Sequence, residues 1–127
     1  MTEYSRLPQK RYGLSREQCI ISDKIYVTHG MGSQGPFYNN CFEYDINSNV
    51  WIERSPALYP RDGTGTCIYN NKLYVFGGRD TVVNPHGLAY AEVYDPKSDT
   101  WDEINPLPIP TADPGVTGLF HDGKYKI

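Results

Sequence analysis

An internal repeat with a period close to 50 residues runs through this chain. The segment K-I-Y-V-T-H-G-M at 24–31 aligns with K-L-Y-V-F-G-G-R at 72–79, at a shift of 48 positions. Beyond these segments the shift becomes 50, and the aligned pairs are Tyr44 with Tyr94, Trp51 with Trp101 and Pro56 with Pro106. One two-residue loop insertion in the second copy accounts for the change. Self-similarity at this period is typical of solenoids and propellers.

Partial copies lie on both sides of the two full ones. Arg11 aligns with Arg61, and the C-terminal segment 120–127 aligns with 68–75. We therefore divide the chain into the tail end of a preceding unit (1–13), two full units (14–62 and 63–113) and the first strands of a further unit (114–127). The fold can then be inferred one unit at a time.

Each full unit carries four short strand signals. In the second unit these are runs rich in β-branched and aromatic residues, and they cover Thr64–Tyr69, Lys72–Phe76, Ala91–Tyr94 and Thr100–Ile104. Asn70-Asn71 suits a hairpin turn because Asn tolerates positive φ. The strand L-Y-V-F is apolar on both faces, which is typical of sheets stacked face to face. The pattern predicts an all-β fold of β-propeller blades, each a four-stranded antiparallel sheet.

The repeat resembles the kelch family of β-propellers. The resemblance rests on the doublet Gly77-Gly78 after a strand, on Tyr94 and Trp101 at their spacing, and on the segment L-Y-P-R that ends at Arg61. In the first unit His29 replaces the first glycine of the doublet. We expect turn or packing roles for the residues that recur in the repeat, namely Gly30, Tyr44, Trp51, Gly77, Gly78, Tyr94 and Trp101.

The first unit also contains a motif that imitates a dinucleotide fingerprint. Gly30, Gly32 and Gly35 spell G-x-G-x-x-G after a β-branched run. That motif binds a pyrophosphate only where a helix begins at the glycines, because the helix N-terminus receives the anion. The residues that follow, P-F-Y-N-N-C at 36–41, have no helical period. We therefore expect a degenerate kelch glycine doublet and no nucleotide cofactor.

Two full units are too few for a closed ring, which contains about four to eight blades. The sequence thus predicts an incomplete propeller. One explanation is that the chain is a piece of a longer propeller. The other is that several copies complete one ring as a homo-oligomer, for instance three chains forming six blades.

Charge and composition exclude several classes of function. The net charge of −3 gives no basic footprint for nucleic acid or an anionic membrane surface. No apolar run approaches the roughly 20 residues that span a bilayer. The three cysteines form no C-x-x-C pair that would suit a metal, so we expect small buried thiols and no metal. The polar N-terminus lacks a secretory h-region, and we expect a cytoplasmic location, with a mature extracellular form cut from a longer precursor as the open alternative.

The function of propellers lies in the loops that cap their faces. The loops after the second strand of each unit and the segments between units contain side chains suited to protein contacts: Tyr38, Arg61, Arg79, Asp80 and His86. The alternative for Arg61 and Arg79 is an internal salt bridge or a carbonyl cap, with Asp80 as the partner of Arg79. Either role is open from the sequence.

The sequence shows no recognisable set of nucleophile, base and orienting group. The three histidines, His29, His86 and His121, lie in turns or loops, where we expect turn, packing or solvent-exposed roles. The kelch resemblance implies a non-catalytic scaffold or substrate adaptor that presents its loops to a partner protein. Some kelch propellers are sugar-active enzymes, resembling sialic acid mutarotases or galactose oxidase. A piece of such an enzyme is the alternative.

Overall fold

The structure of the chain is a computed structural model, which describes residues 6–9, 11, 14, 19–33, 36–81, 87–112, 119–121 and 124–126. These residues form three antiparallel sheets and no helix. The first sheet contains β1 (Ile20–Ile21), β2 (Lys24–Thr28), β3 (Cys41–Asp45) and β4 (Val50–Arg54). The second contains β5 (Gly65–Tyr69), β6 (Lys72–Phe76), β7 (Ala91–Asp95) and β8 (Thr100–Ile104). The third contains β9 (Leu119–His121) and β10 (Lys124–Lys126).

The strands of each large sheet lie side by side in sequence order, which is the arrangement of a propeller blade. The sheets lie within the segments 14–62 and 63–113, whose boundaries as blades stay a prediction. Strand β5 begins one residue later than the sequence indicated, at Gly65, and β7 ends one residue later, at Asp95. Strand ends fray, and such differences are expected. The prediction of an all-β fold with four-stranded antiparallel blades is confirmed.

Hairpin turns join the first two strands of each large sheet. Ser22 and Asp23 have φ of 50° and 61°, and Asn70 and Asn71 have φ of 51° and 59°. Two successive residues with positive φ are the mark of a type I′ turn, whose twist matches that of the strands it joins. Asn and Asp tolerate this conformation better than other residues with a side chain. The turn chemistry therefore fixes the register of both hairpins.

The main core lies between the two large sheets. Tyr26 and Cys41 from the first sheet pack in one cluster with Leu73, Val75 and Tyr94 from the second, and all five are buried. The rings of Tyr26 and Tyr94 lie with their centroids 5.8 Å apart across the interface. The two sheets thus share one apolar layer, as face-to-face packing requires.

Strand β6 carries apolar side chains on both faces. Leu73 and Val75 belong to the main core, whereas Phe76 belongs to a second cluster with Ala91, against which Tyr74 packs. A sheet with one face in water would alternate apolar and polar residues instead. The second blade therefore offers an apolar face on the side that points away from the first blade.

Polar contacts join the end of β4 in the first sheet to the hairpin of β7 and β8 in the second. The Nε of Arg54 donates to the hydroxyl of Tyr94 at 3.0 Å. The amide and hydroxyl of Ser55 donate to the carboxylate of Asp99 at 3.0 and 2.9 Å. The indole nitrogen of Trp101 donates to the carbonyl of Ser55 at 2.9 Å. The end of β4 is thus pinned to the second blade by three side chains of that blade.

The repeated aromatic pairs have nearly the same geometry in both blades. Tyr44 and Trp51 are register partners with ring centroids 4.9 Å apart, and so are Tyr94 and Trp101. Each tyrosine hydroxyl donates to the side chain five residues later: Tyr44 to Asn49 at 2.6 Å and Tyr94 to Asp99 at 2.7 Å. Each pair therefore joins the last two strands of its blade, β3 to β4 in the first and β7 to β8 in the second, and the tyrosine closes the turn between them.

Candidate partner-binding face

The loops at one end of the two large sheets form the candidate face, which we call the loop face. It comprises the described parts of the loops after β2 (29–40) and β6 (77–90), and the segments that leave β4 (55–64) and β8 (105–112). We call these last two the exit segments. All four lie at the same end because the strands are antiparallel and in sequence order.

Backbone hydrogen bonds tie each loop to an exit segment in the same way. The amide of Gly30 donates to the carbonyl of Arg61 at 2.9 Å, and the amide of Gly78 donates to the carbonyl of Thr111 at 2.9 Å. Arg61 and Thr111 are 50 positions apart, so the bond repeats with the period of the sequence. The loop face is therefore a frame held by main-chain bonds.

The glycine doublet meets the backbone requirements of this frame. Gly77 and Gly78 have φ of 64° and 94°, and His29 and Gly30 have φ of 60° and 102°. A Cβ placed on Gly78 would lie 2.5 Å from the carbonyl oxygen of Asp62, which is too close for any side chain. The second position therefore needs glycine. The first tolerates another residue in the left-handed region, and His29 occupies it.

No helix follows the G-x-G-x-x-G motif of the first unit in the described residues. After Gly30 the chain passes into an isolated antiparallel bridge between Met31 and Phe37. The amide of Gly32 donates to the carbonyl of Pro36 at 2.9 Å. These bonds close a tight loop, and no helix N-terminus is present there to receive a pyrophosphate.

Arg61 lies in the interior, fully buried. Its Nη1 donates to the carbonyls of Gly77 and Tyr90 at 2.5 and 3.1 Å, and its Nη2 pairs with the carboxylate of Glu92. The side chain therefore ties the end of β6 to the start of β7. This corrects the expectation of Arg61 as a surface contact, because a guanidinium with no exposed area cannot meet a partner. The alternative raised from the sequence, an internal role, describes what the structure shows.

Glu92 is the centre of this buried cluster. Besides Arg61, its carboxylate accepts a bond from the amide of Leu58 at 2.6 Å and contacts Nε2 of His29 at 3.2 Å. The other ring nitrogen of His29 lies 2.9 Å from the hydroxyl of Thr28. A neutral imidazole that donates from Nε2 and accepts at Nδ1 satisfies every one of these groups. Through this ring, the first blade contacts the interior of the second.

The electrostatics of the cluster agree with that protonation state. Burial lowers the pKa of His29, which the hydrogen bond to Glu92 opposes. Burial acts to raise the pKa of Glu92, but the bond from His29 and the nearby charge of Arg61 bring that pKa below its usual value. The cluster is thus one carboxylate and one guanidinium, with a neutral histidine beside them.

Arg11 repeats the role of Arg61 in the first blade. Its Nη1 donates to the carbonyl of His29 at 2.7 Å and lies 3.4 Å from the carbonyl of Asn40. These carbonyls align with those that Arg61 binds in the second blade. An arginine at this point of the exit segment is therefore part of the repeat, a structural member of the fold.

The first blade has no carboxylate at the aligned position, and Nη2 of its arginine donates instead to the side-chain oxygen of Gln9 at 2.6 Å. Phe42 aligns with Glu92, and the guanidinium of Arg11 lies 5.1 Å from the centroid of the Phe42 ring. Pro8 aligns with Leu58 and has no amide hydrogen, so no acceptor is needed there. The same site of the blade is thus filled in two ways: with an ion pair in the second blade, and with neutral hydrogen bonds and a cation–π contact in the first.

Arg79 remains on the surface of the loop face. Its Nε and Nη2 donate to the carboxylate of Asp62 at 3.0 and 3.4 Å, and the backbones of the two residues exchange bonds of 3.0 and 2.9 Å. The side chain of Arg79 is 40% exposed, whereas that of Asp62 is 4% exposed. The partner that the structure shows is thus Asp62, where the sequence suggested the adjacent Asp80, which lies exposed.

The other two candidates differ in their placement. Tyr38 is half-buried, and the guanidinium of Arg11 lies 5.0 Å from its ring centroid. Its backbone amide donates to the carbonyl of Gly30 at 2.8 Å, so it belongs to the frame of the loop face. His86 lies outside the described residues.

An aromatic stack that the sequence did not single out lies on the loop face. The rings of Tyr59 and Tyr90 are parallel within 7°, with centroids 4.2 Å apart. Tyr90 is 39% exposed and Leu58, next to Tyr59, is 46% exposed. The hydroxyl of Tyr59 donates to Glu103 of β8 at 2.8 Å, which anchors the stack to the blade. A rigid aromatic surface of this kind suits protein contacts.

The described residues offer little for other chemistry. They contain no group of three His, Cys, Asp or Glu side chains that could hold a metal ion. No helix in this part of the chain is long and apolar enough to cross a membrane. What the loop face presents is an oriented arginine, an exposed carboxylate and an aromatic stack on a fixed backbone.

Comparison with known proteins places the chain in a family. The Kelch motif matches residues 60–108, which include the whole second sheet. Kelch-like protein 25 of Xenopus tropicalis is 34% identical over 80% of this chain, and Kelch-like protein 15 of Homo sapiens is 27% identical over 94% of it. The chain belongs to the kelch-repeat family.

The kelch chain corresponds to a part of these relatives. It covers 18% of the length of Kelch-like protein 25 and 24% of that of Kelch-like protein 15. A solved structure, titled Structure of YjhT, is similar to this chain with a TM-score of 0.72, and the match covers 96% of this chain and 35% of the solved one. At 21% identity this likeness concerns the fold alone.

Proposed function

We propose that these kelch blades are a non-catalytic interaction module whose loop face binds a partner protein. The kelch-like relatives support a role in protein interaction, because the family resemblance implies scaffolds and substrate adaptors. A cytoplasmic location and a ring completed by several copies of the chain stay predictions alongside this proposal.

The observation that carries the proposal is the state of Arg79. Its guanidinium is oriented by the buried carboxylate of Asp62, yet 40% of the side chain is open to solvent. An arginine held in one geometry loses little conformational freedom on binding, and its planar guanidinium suits pairing with a carboxylate. Asp80 beside it is exposed and supplies the opposite charge.

A partner segment that crosses the loop face can contact the oriented arginine, the exposed carboxylate and the aromatic stack. Arg79 pairs with a carboxylate of the partner in a charge-assisted bond. Asp80 accepts from a donor of the partner, and the stack of Tyr59 and Tyr90 provides apolar contact. Arg61 acts only through the frame, because it is buried beneath the loop.

Selection of binding peptides from a displayed random library tests the proposal. Each enriched peptide is measured against the wild-type chain and against Arg79→Ala and Tyr90→Ala, with Ser48→Ala, in an exposed turn at the opposite end of the sheets, as the control. We expect the first two variants to weaken binding by about tenfold or more, as hot-spot residues do, and the control to change nothing.

Two outcomes contradict the proposal. One is a set of enriched peptides whose affinity is the same for Arg79→Ala and the wild type. The other is turnover or anomer exchange of a sugar by the chain, which would favour the sugar-active alternative. Circular dichroism of each variant separates loss of contact from loss of fold.

A further inference from the structure

A groove of about 670 Å³ opens between the two large sheets at the end opposite the loop face. We call it the seam groove. Its walls are hairpin turns of the two blades, with Ser22 on one side and Asn70 and Asn71 on the other. Its lining includes Tyr26 and Glu43, both of which are buried. Pockets that bind ligands have volumes of about 300–1,000 Å³, so the seam groove is large enough for a few residues of peptide.

The charges around the seam groove are mainly positive. Its lining contains four cations, which are Lys24, Arg54, Lys72 and Lys97, and two carboxylates, which are Glu43 and Asp95. The chain as a whole has a net charge of −3. The groove is therefore a local positive site on a negative molecule.

The acidic group at the bottom of the groove is already satisfied. Glu43 accepts a bond from the hydroxyl of Tyr26 at 2.8 Å, and it lies 3.9 Å from Nζ of Lys24 and 4.0 Å from Nε of Arg54. Arg54 itself donates to Tyr94 and to the carbonyl of Pro96. These groups form a closed network that leaves no unpaired negative charge at the base.

The two remaining lysines have no such partner. Among the described residues, neither Lys72 nor Lys97 has a carboxylate within ion-pair distance. Asp95 is engaged in its own turn, since it accepts the amide of Lys97 at 3.0 Å. Lys97 is exposed and Lys72 is half-buried at the rim. Two ammonium groups are thus available to an anionic ligand.

The turn between β5 and β6 adds a different kind of donor. Asn70 and Asn71 are both exposed and line the groove. A carboxamide carries both a donor and an acceptor, so it can pair with the two polar groups of a peptide unit. The groove therefore combines groups that bind carboxylates with groups that bind a peptide backbone.

We propose that the seam groove is a second binding site, which takes an acidic peptide segment of a partner protein. Lys72 and Lys97 pair with carboxylates of the segment, and Asn70 and Asn71 bind its backbone. A nucleic acid is the less suitable occupant, because the rest of the molecule is negative and the groove offers only two free cations where a phosphate backbone requires a basic stripe. The site does not depend on the loop face, which lies at the other end of the sheets.

Fluorescence anisotropy with defined peptides tests this site. The probe is a fluorescein-labelled octapeptide of alternating Glu and Ser, and its control replaces every Glu by Gln. The full chain is titrated as wild type, as Lys72→Gln/Lys97→Gln, and as Arg6→Gln, which removes an exposed positive charge outside the groove. We expect the acidic peptide to bind, the double variant to bind about fivefold more weakly, and Arg6→Gln to match the wild type.

Three results would overturn the assignment. The first is the absence of binding by the acidic peptide, and the second is equal binding of the Gln peptide. The third is equal weakening by Arg6→Gln, which would mean attraction to charge anywhere on the chain. A labelled thymidine octamer that binds as tightly as the acidic peptide also contradicts it. A failure here leaves the peptide selection on the loop face unaffected, because that test depends on Arg79.

Discussion

Exchanging the ionic cluster of the second blade for the apolar solution of the first gives a quantitative test of the packing. The second blade has Glu92 with the amide donor of Leu58, and the first has Phe42 with Pro8 at the aligned positions. We expect the substitutions Glu92→Phe and Leu58→Pro to be costly one at a time and partly compatible when combined.

The magnitudes follow from what each single substitution leaves unpaired. Glu92→Phe removes the partner of a fully buried guanidinium, a loss of about 3–5 kcal/mol, against which a cation–π contact returns about 2 kcal/mol. It also orphans the amide of Leu58 and Nε2–H of His29, each at about 1–3 kcal/mol. Leu58→Pro alone removes a bond to a charged acceptor, worth about 1.5–3 kcal/mol. The double variant has neither the amide hydrogen at position 58 nor the carboxylate at position 92. The cost of breaking the bond between them is therefore counted once, and the effects of the two substitutions are not additive.

Urea unfolding of the four proteins measures this overlap as a double-mutant cycle. We expect the double variant to be more stable than the sum of the single changes implies, by about 2 kcal/mol or more. Costs that add within about 0.5 kcal/mol would mean that the amide of Leu58 and the carboxylate of Glu92 do not interact, which would refute the cluster as described.

Three further predictions concern His29, the glycine doublet and Cys41. Burial lowers the pKa of His29, so the stability that its neutral ring contributes is complete above the unfolded pKa of about 6.5 and is lost as pH falls below it, by up to about 1.4 kcal/mol per pH unit. Urea melts between pH 7 and 5 should therefore show a steeper fall for the wild type than for His29→Asn, and parallel curves would contradict this. Gly77→Asn should cost less than about 1 kcal/mol, because His29 adopts the same left-handed conformation. Gly78→Ala should cost more than about 2 kcal/mol, since its Cβ meets a carbonyl at 2.5 Å; equal thermal shifts for the two variants would refute the distinction. The fully buried Cys41, whose thiol pKa is raised by burial, should react with iodoacetamide only after unfolding, and labelling in the native state would show that the core between the sheets is open.

The blades were predictable because their signals are local and occur twice. Strand runs, Asn and Asp in the turns and the glycine doublet each follow from a short stretch of sequence, and the repeat shows which coincidences matter. The bounds of β6 and β8 match the sequence-based prediction, and those of β5 and β7 differ by one residue.

The roles of the candidate site residues were harder to predict. Whether Arg61 points outward or inward depends on a carboxylate 31 residues away and on carbonyls of a neighbouring loop, and no local pattern records these contacts. One signal was present: Arg11 recurs 50 positions before Arg61, and recurrence at the period of the fold favours a structural role. The pairing of Arg79 with Asp62 joins an exit segment to a loop, which only the folded arrangement of the blades brings together.

The glycine-rich motif of the first unit has two interpretations, a phosphate site or a degenerate glycine doublet, and the structure of the following residues decides between them. Three glycines at the spacing of a nucleotide fingerprint favour a phosphate site only ahead of a helix. The described chain instead forms the bridge between Met31 and Phe37, and Gly30 takes a φ of 102° as the second residue of a degenerate doublet. Its counterpart Gly78 has the same role.

The measurement that tests the central claim most directly is chemical-shift mapping by NMR of a selected peptide on the labelled chain. If the loop face is the partner site, the largest shifts fall on Arg79, Asp80 and Tyr90 and on the backbone amides of their loops, while the turn at Asn70 and Asn71 stays unchanged. Shifts confined to the strands or to the seam groove, with the signals of Arg79 and Tyr90 unmoved, would contradict the assignment of the loop face as the site where the partner binds.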